Sequence, residues 1–385
     1  GNMFLFDILI YVMFAWVMCW FAKTANNYGE GSLGSKYYIW YFMLFFAVIC
    51  GIRYNVGVDC LSYIHNFKTG YIGKSRLEES LWVLFVQSIH RAGIHYTVGM
   101  GLVAFVQIYF LVRALKGSYY ILAALPIVLF GSSFFWDMTN GMRQVTAACI
   151  FTFASRFIIE RKPIPFFLSL FLASLIHHSA LMVMPLFVFA YIPPKIIEIT
   201  KYRNICVCLL FACLFLGMTS ILQGFVTYIE KLTDFFGYDD YTQRIATIAG
   251  SGYTKEARAF GPMQLSYFLI ALAVTWFGPL LKERYEGEVK YFNLWYFFAF
   301  IYGCGYFLIC NTSHLFIRIV MFLEFYQLII ASMLLVCFWQ LGNKYKQYAH
   351  IFIIAMWMAT CWNVFKNYGD SRDVVTYKVF LFHDK

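Results

Sequence analysis

The sequence predicts an all-α, polytopic transmembrane helix bundle, and three observations lead there. Of its 385 residues 61% are hydrophobic and only 13% are charged, roughly half the charge of a soluble domain. Many windows of about 20 residues carry no charge, the length that crosses ~30 Å of hydrocarbon as a helix. These runs are continuously apolar rather than alternating, which excludes an outer-membrane barrel. A chain in lipid must satisfy its own backbone polar groups, so helices remain. No polar stretch is long enough for a soluble domain, and residues 1–385 read as a single membrane domain.

Apolar runs and polar breaks predict about twelve membrane segments: 3–21, 37–52, 95–115, 119–136, 144–159, 165–176, 180–192, 204–222, 263–281, 291–310, 317–341 and 349–366. The first lacks a basic leader and a small-residue cleavage site, so it reads as a retained helix. The runs 165–176 and 180–192 are short, reaching only ~18–20 Å each at helical rise. They fit a hairpin turning within the membrane at His177-His178-Ser179, a re-entrant or broken helix pair. The alternative is one long tilted helix.

Ten of the eleven cysteines lie in or at the edge of apolar runs and only Cys60 lies in a loop, so they read as small buried hydrophobes. No Cys/His pattern has metal-ligand spacing. Asp239-Asp240 is a paired acid without further ligands placed around it. No metal and no cofactor is expected. The net charge of +10 is spread along the chain and not clustered, which argues against nucleic acid.

That charge orients the bundle. Lys23 and Lys36, Arg113 and Lys116, Arg161 and Lys162, the Lys195 to Arg203 cluster, the Lys282 to Lys290 cluster, and Lys344 with Lys346 fall in alternate short loops. The positive-inside rule puts those loops in the cytoplasm. The other side receives the outer loops 53–94 and 223–262, expected to face substrate, and the tail 367–385. The aromatic content of 223–262 suggests a folded lid. Arg143 and Arg318 sit at helix ends on this outer side, where an embedded arginine marks function by default. Asp137 and Glu324 each lie six residues from one of them, the wrong spacing for one helix face. The partner is therefore elsewhere in the bundle, or is a ligand.

Three motifs on the outer side carry chemistry. They are Arg53-Tyr54-x-x-Gly57-x-Asp59-x-x-x-Tyr63, then Arg143-Gln144, then His177-His178-Ser179-Ala180. In this order they resemble the EpsG-like family, Wzy-like polymerases of bacterial surface polysaccharides such as O-antigen and exopolysaccharide. The resemblance covers about residues 37–330, with hydropathy alone beyond. One departure is Cys60, where family members often carry tyrosine, so an essential hydroxyl is not expected there.

The resemblance implies a GT-C-like membrane glycosyltransferase of the bacterial inner membrane. It would transfer a growing glycan from undecaprenyl pyrophosphate to the next lipid-linked repeat unit at the outer face. Its partners would be the lipid-linked oligosaccharide donor and acceptor, membrane lipid and a chain-length regulator. The residues suit that chemistry. Arginine forks match phosphate oxygens and stay charged, which nominates Arg53, Arg143 and Arg318 for the pyrophosphate. Tyr54, Tyr63, Gln144 and His178 are the further substrate-binding candidates. The acceptor hydroxyl needs a base: His177 is preferred and Asp59 is assigned to orientation, with His178 or Asp59 as alternatives.

Each residue also has a plainer reading. Arg53 can simply end a helix and snorkel to headgroups, His177 can be a buried histidine bonded to backbone, and tyrosines are abundant at membrane interfaces. Two other functions compete. A membrane acyltransferase would want a histidine–carboxylate pair, and the nearest acid to His177 in sequence is Glu160. A transporter or flippase would want cations through the whole depth, whereas these arginines gather toward one face.

Overall fold

The computed structural model describes residues 3–73, 79–219, 221–222, 260–311 and 314–383. Among the described residues the chain is helical, with one isolated antiparallel bridge between Arg53 and Val379. Most of the 223–262 loop, with Asp239-Asp240, lies outside them.

Seven helices are long and apolar enough to cross a membrane. They are α1 (Met3–Asn27), α2 (Leu33–Gly51), α5 (Tyr96–Ala114), the Pro194–Gly217 run that ends in α12 (Arg203–Gly217), α15 (Phe292–Ile309), the Ile317–Gln340 run containing α17 (Glu324–Gln340), and α18 (Asn343–Asn367). An eighth is counted if α13 (Pro262–Trp276) and α14 (Gly278–Tyr285), bent by 57°, form one span. That is fewer than the twelve segments expected, because several apolar runs are broken into short helices.

Residues 119–140 make a 3-10 turn, then α6 (Leu125–Gly131) and α7 (Phe134–Asn140). Residues 142–159 divide into α8 (Met142–Ala154) and α9 (Arg156–Ile159). Ser132-Ser133 and Ser155, which favour turns over helix interiors, mark two of the breaks.

The run 163–190 is a hairpin, as one of the two sequence readings has it. Its outgoing leg is α10 (Pro163–Ser174) and its return leg is a 3-10 helix, His178–Ala190. Phe166 and Phe167, near the start of α10, meet Phe187, near the end of the return leg, with ring centroids 5.1 and 5.3 Å apart. One straight helix cannot make those contacts.

The packing is that of a membrane protein. α17 is buried on all sides, as a helix apolar all round must be. Large apolar side chains such as Phe6, Trp16, Ile354 and Phe365 point outward, each more than 60% exposed. α2 and α5 approach closely at Gly51, where a Cβ would lie 2.7 Å from the Thr97 carbonyl.

The two ends of the bundle differ in kind. At one end the basic loops collect. Glu30 accepts from the N–H groups of Gly117 (2.6 Å) and Tyr119 (3.3 Å), and Arg156 donates to the Arg113 carbonyl (2.7 Å). Glu160 pairs with Lys162 (2.7 Å) and accepts from Tyr291 (2.6 Å). At the other end lie the three sequence motifs and the tail. The tail docks on the loop after α2 through Tyr54 N–H to Lys378 O, Gly57 N–H to Val374 O and Phe380 N–H to Ile52 O, at 2.8, 2.8 and 3.0 Å.

Candidate functional site

The first motif is a compact turn. After α2 the chain reverses through two residues in the left-handed region, Asn55 (φ 52°) and Gly57 (φ 97°). Gly57 is required twice over, because a Cβ there would also lie 2.7 Å from Asn140 Oδ1. That oxygen accepts from the Val58 N–H at 2.6 Å, tying the first motif to the turn that carries the second.

Arg53 is buried, and its guanidinium is engaged by the protein itself. It donates to the carbonyls of Cys50, Val56 (3.2 Å) and Thr139 (3.3 Å), and it touches Met142 Sδ (3.2 Å). The Cys50 and Thr139 carbonyls lie in the last turns of α2 and α7, where a cation is favoured. The structure therefore gives Arg53 a clamping role in place of the pyrophosphate contact that the sequence suggests. Tyr54 stacks on His383, with centroids 6.4 Å apart and planes within 10°.

Arg143 opens α8 at the same place. Its partner is Glu79, in a buried ion pair with side chains only 13% and 10% exposed. Glu79 was not a candidate from sequence. It stands 64 residues from Arg143, at the foot of α4 (Ser80–Arg91), and no local spacing connects the two. The second carboxylate oxygen of Glu79 accepts from the His178 N–H at 3.2 Å. Leu81 and Trp82 add N–H bonds to the Leu175 carbonyl at 3.0 and 3.2 Å. One carboxylate thus joins the second motif to the third, at the tip of the hairpin.

Tyr63, on α3 (Cys60–Thr69), completes the group. It is 6% exposed and packs edge-on to Trp82 at 5.8 Å. Burial pushes its hydroxyl pKa up; a hydrogen bond and the charge of Arg143 oppose this, and the charge of Asp59 adds to it. Asp59 is exposed at the N-cap of α3. Arg143 Nε–H is buried and has no acceptor among the described residues, an unmade bond that costs about 1–3 kcal/mol.

At the hairpin tip His177 Nδ1 contacts Ser179 Oγ at 2.5 Å, which sets the ring orientation. The His178 side chain is exposed. Gln144 Nε2 donates to the Arg318 carbonyl at 2.7 Å, and the Arg318 side chain is exposed at the same end. Beneath the turn, Gln107 on α5 donates to the Met138 (3.3 Å) and Met142 (3.2 Å) carbonyls and Thr146 Oγ1 (3.3 Å), bracing α7 and α8.

The tail adds a fastening. Asp373 accepts from the N–H groups of Val375 (2.8 Å) and Thr376 (3.0 Å), with Lys378 at 3.6 Å. Partial burial acts to raise the Asp373 pKa, but these bonds and the lysine outweigh it and hold it below the ordinary value.

Fold and site together define a multi-pass membrane protein whose three sequence motifs are gathered at one end around a buried arginine. No curated protein and no solved structure matches the chain. The EpsG family model matches residues 36–379, and the protein belongs to that family. The match carries the resemblance beyond residue 330 to the tail, which the sequence motifs did not reach.

Proposed function

We propose that the protein is a polysaccharide polymerase. It moves a growing glycan from undecaprenyl pyrophosphate to the next lipid-linked repeat unit, at the outer face of the bacterial inner membrane. Membership in the EpsG family supports the general reading of a polymerase-like membrane enzyme. The observation that carries the reaction is the convergence of three distant motifs around the Arg143–Glu79 pair, with Tyr63 on Arg143, His178 on Glu79 and an arginine donor left unsatisfied there.

In this reading the apolar stretches make about twelve passes in a GT-C-like arrangement. The short helices of 119–159 cross in pairs, and the hairpin enters from the basic side. The acceptor hydroxyl oxygen attacks the anomeric carbon of the donor, forming the new glycosidic bond. The bond from that carbon to the pyrophosphate oxygen breaks, and undecaprenyl pyrophosphate leaves. The hydroxyl proton passes to His177, held by Ser179, and Asp59 orients the acceptor.

Arg143 meets the developing charge on the pyrophosphate. A phosphate oxygen would supply the acceptor its Nε–H lacks, and charge-assisted bonds of this kind are the strong ones. Arg318 and Gln144 add donors beside it. Tyr54, Tyr63 and His178 line the approach of the glycan. Arg53 acts as a positioning residue that fixes the turn. With arginines neutralising the leaving group, the reaction is assigned as metal-independent, so a chelator should leave the rate unchanged in membranes.

The test is made in the source cells. Arg143→Ala should accumulate single lipid-linked repeat units and abolish the long-chain polymer ladder at normal protein level. Arg143→Lys should restore little, because an ammonium lacks the fork. A normal ladder in both variants would overturn the assignment. A ladder lacking only an acyl substituent would indicate an acyltransferase, and repeat units trapped on the inner leaflet would indicate a flippase.

A further inference from the structure

A cavity of about 440 Å³ opens beside the Arg143 turn, within the size range of small-molecule sites. Its floor is the first motif, Gly57 and Val58, and its walls come from α7, the start of α13, the end of α18 and the docked tail. Asn140 belongs both to this wall and to the turn leading into Arg143, so the cavity and the arginine site share an edge.

The chemistry of the lining is unlike that of the arginine site. Four carboxamides face it, from Asn140, Gln264, Asn363 and Asn367, together with the tyrosines Tyr267 and Tyr306. Each amide offers donors and an acceptor, which matches hydroxyl groups and not an acceptor-only phosphate. Asp137 is the charged residue of the lining, and no lysine, arginine or histidine is among the described lining residues. Behind this wall the fully buried carboxyl of Glu324 is hydrogen-bonded to Asp137. Trp136 also lines the cavity at 8% exposure, and its indole N–H is buried with no acceptor among the described residues. A buried donor of this kind calls for a ligand oxygen.

We infer that this cavity is the subsite for an uncharged sugar unit of the lipid-linked glycan, separate from the arginine site that takes the pyrophosphate. The inference rests on the polymerase reading above and divides its substrate between two pockets. The amides bind ring hydroxyls, Asp137 accepts from one of them, and the indole of Trp136 donates to a sugar oxygen. With Asp137 in the wall and no cation among the described lining residues, phosphate and acidic sugars find no charge partner there.

The test uses the full-length protein in lipid nanodiscs and two probes. One is the repeat-unit oligosaccharide released by mild acid from the cells' own lipid-linked pool. The other is undecaprenyl pyrophosphate alone. Wild type should bind both. Gln264→Leu and Asn363→Leu should each weaken the oligosaccharide about five- to tenfold, the worth of a lost hydrogen bond or two, and change the lipid pyrophosphate less than about twofold. Asn363→Asp, which keeps the side-chain size, should melt like wild type and still bind the oligosaccharide less well.

Unchanged oligosaccharide affinity in all three variants would overturn the subsite and leave the polymerase reading standing. Failure of the wild type to bind either probe would overturn the polymerase reading itself, and the subsite with it.

Discussion

The two ends of the bundle use the same residue types to opposite effect. At the basic end Arg284 pairs with Glu288 one helical turn away, with side chains 31% and 41% exposed. At the other end Arg143 pairs with Glu79 across the fold, nearly out of solvent. An exposed i,i+4 pair is worth about 0.2–0.5 kcal/mol. A buried pair that loses one partner costs about 3–5 kcal/mol, because the remaining charge stays stranded. The same chemistry serves as solvated surface at one end and as the joint of a site at the other, and burial makes the difference.

The largest effect is therefore expected from Glu79→Ala. It should lower the thermal midpoint sharply and stop polymer formation, since it strands Arg143 and frees the hairpin tip. Combining it with Arg143→Met should recover much of the stability and none of the activity. If the double variant melts as low as the single, the stranded-charge account fails.

Arg53→Lys should rank next. A lysine cannot reach three carbonyls at once, and each buried carbonyl left unpaired costs about 1–3 kcal/mol. Polymer yield should fall with the melting temperature, and lipid-pyrophosphate affinity should hold if Arg53 only clamps. A selective loss of that affinity in a stable protein would move Arg53 back to substrate contact.

A smaller effect concerns the tail. The Asp373 pKa is held below its ordinary value of 3.8, so its contribution is complete above that pH and is lost as pH falls through the lower, folded-state value. Proteolytic release of the tail should rise only in strong acid, and Asp373→Asn should remove that dependence. A tail equally protected at every pH would refute the role. Smallest of all, Arg284→Ala should shift the melting temperature barely measurably, and a drop as large as that of Glu79→Ala would break the comparison between the ends.

Much of this arrangement was legible in the sequence, for reasons of locality. Charge spacing alone separated the two ends, because loops carry their lysines wherever the chain folds. His177-His178-Ser179 marked the hairpin tip, because a polar triplet between two short apolar runs has few other places to go. Asp59, Arg143 and His177 belong to motifs that the sequence puts at one face, and the structure brings their loops together. Contacts made across many residues were not legible. Glu79 lay in a polar stretch like any other acid, and nothing in its neighbours pointed to Arg143. Arg53 looked like a phosphate ligand because the carbonyl of Thr139, 86 residues away, leaves no trace in the local pattern. The docking of the tail on Gly57 is invisible for the same reason.

The return leg of the hairpin has a consequence for length. Thirteen residues wound as a 3-10 helix cover about 26 Å, where an α-helix would cover about 20 Å. Pro185 within it lacks an N–H, and in an α-helix its ring would clash with the carbonyl four residues back, which disfavours the α-helical alternative at that point. How far His177 stands from the basic end is thus fixed by hydrogen-bond register as much as by residue count. Rewinding the leg by one bond type would retract the histidine by about a turn with no change in chain length.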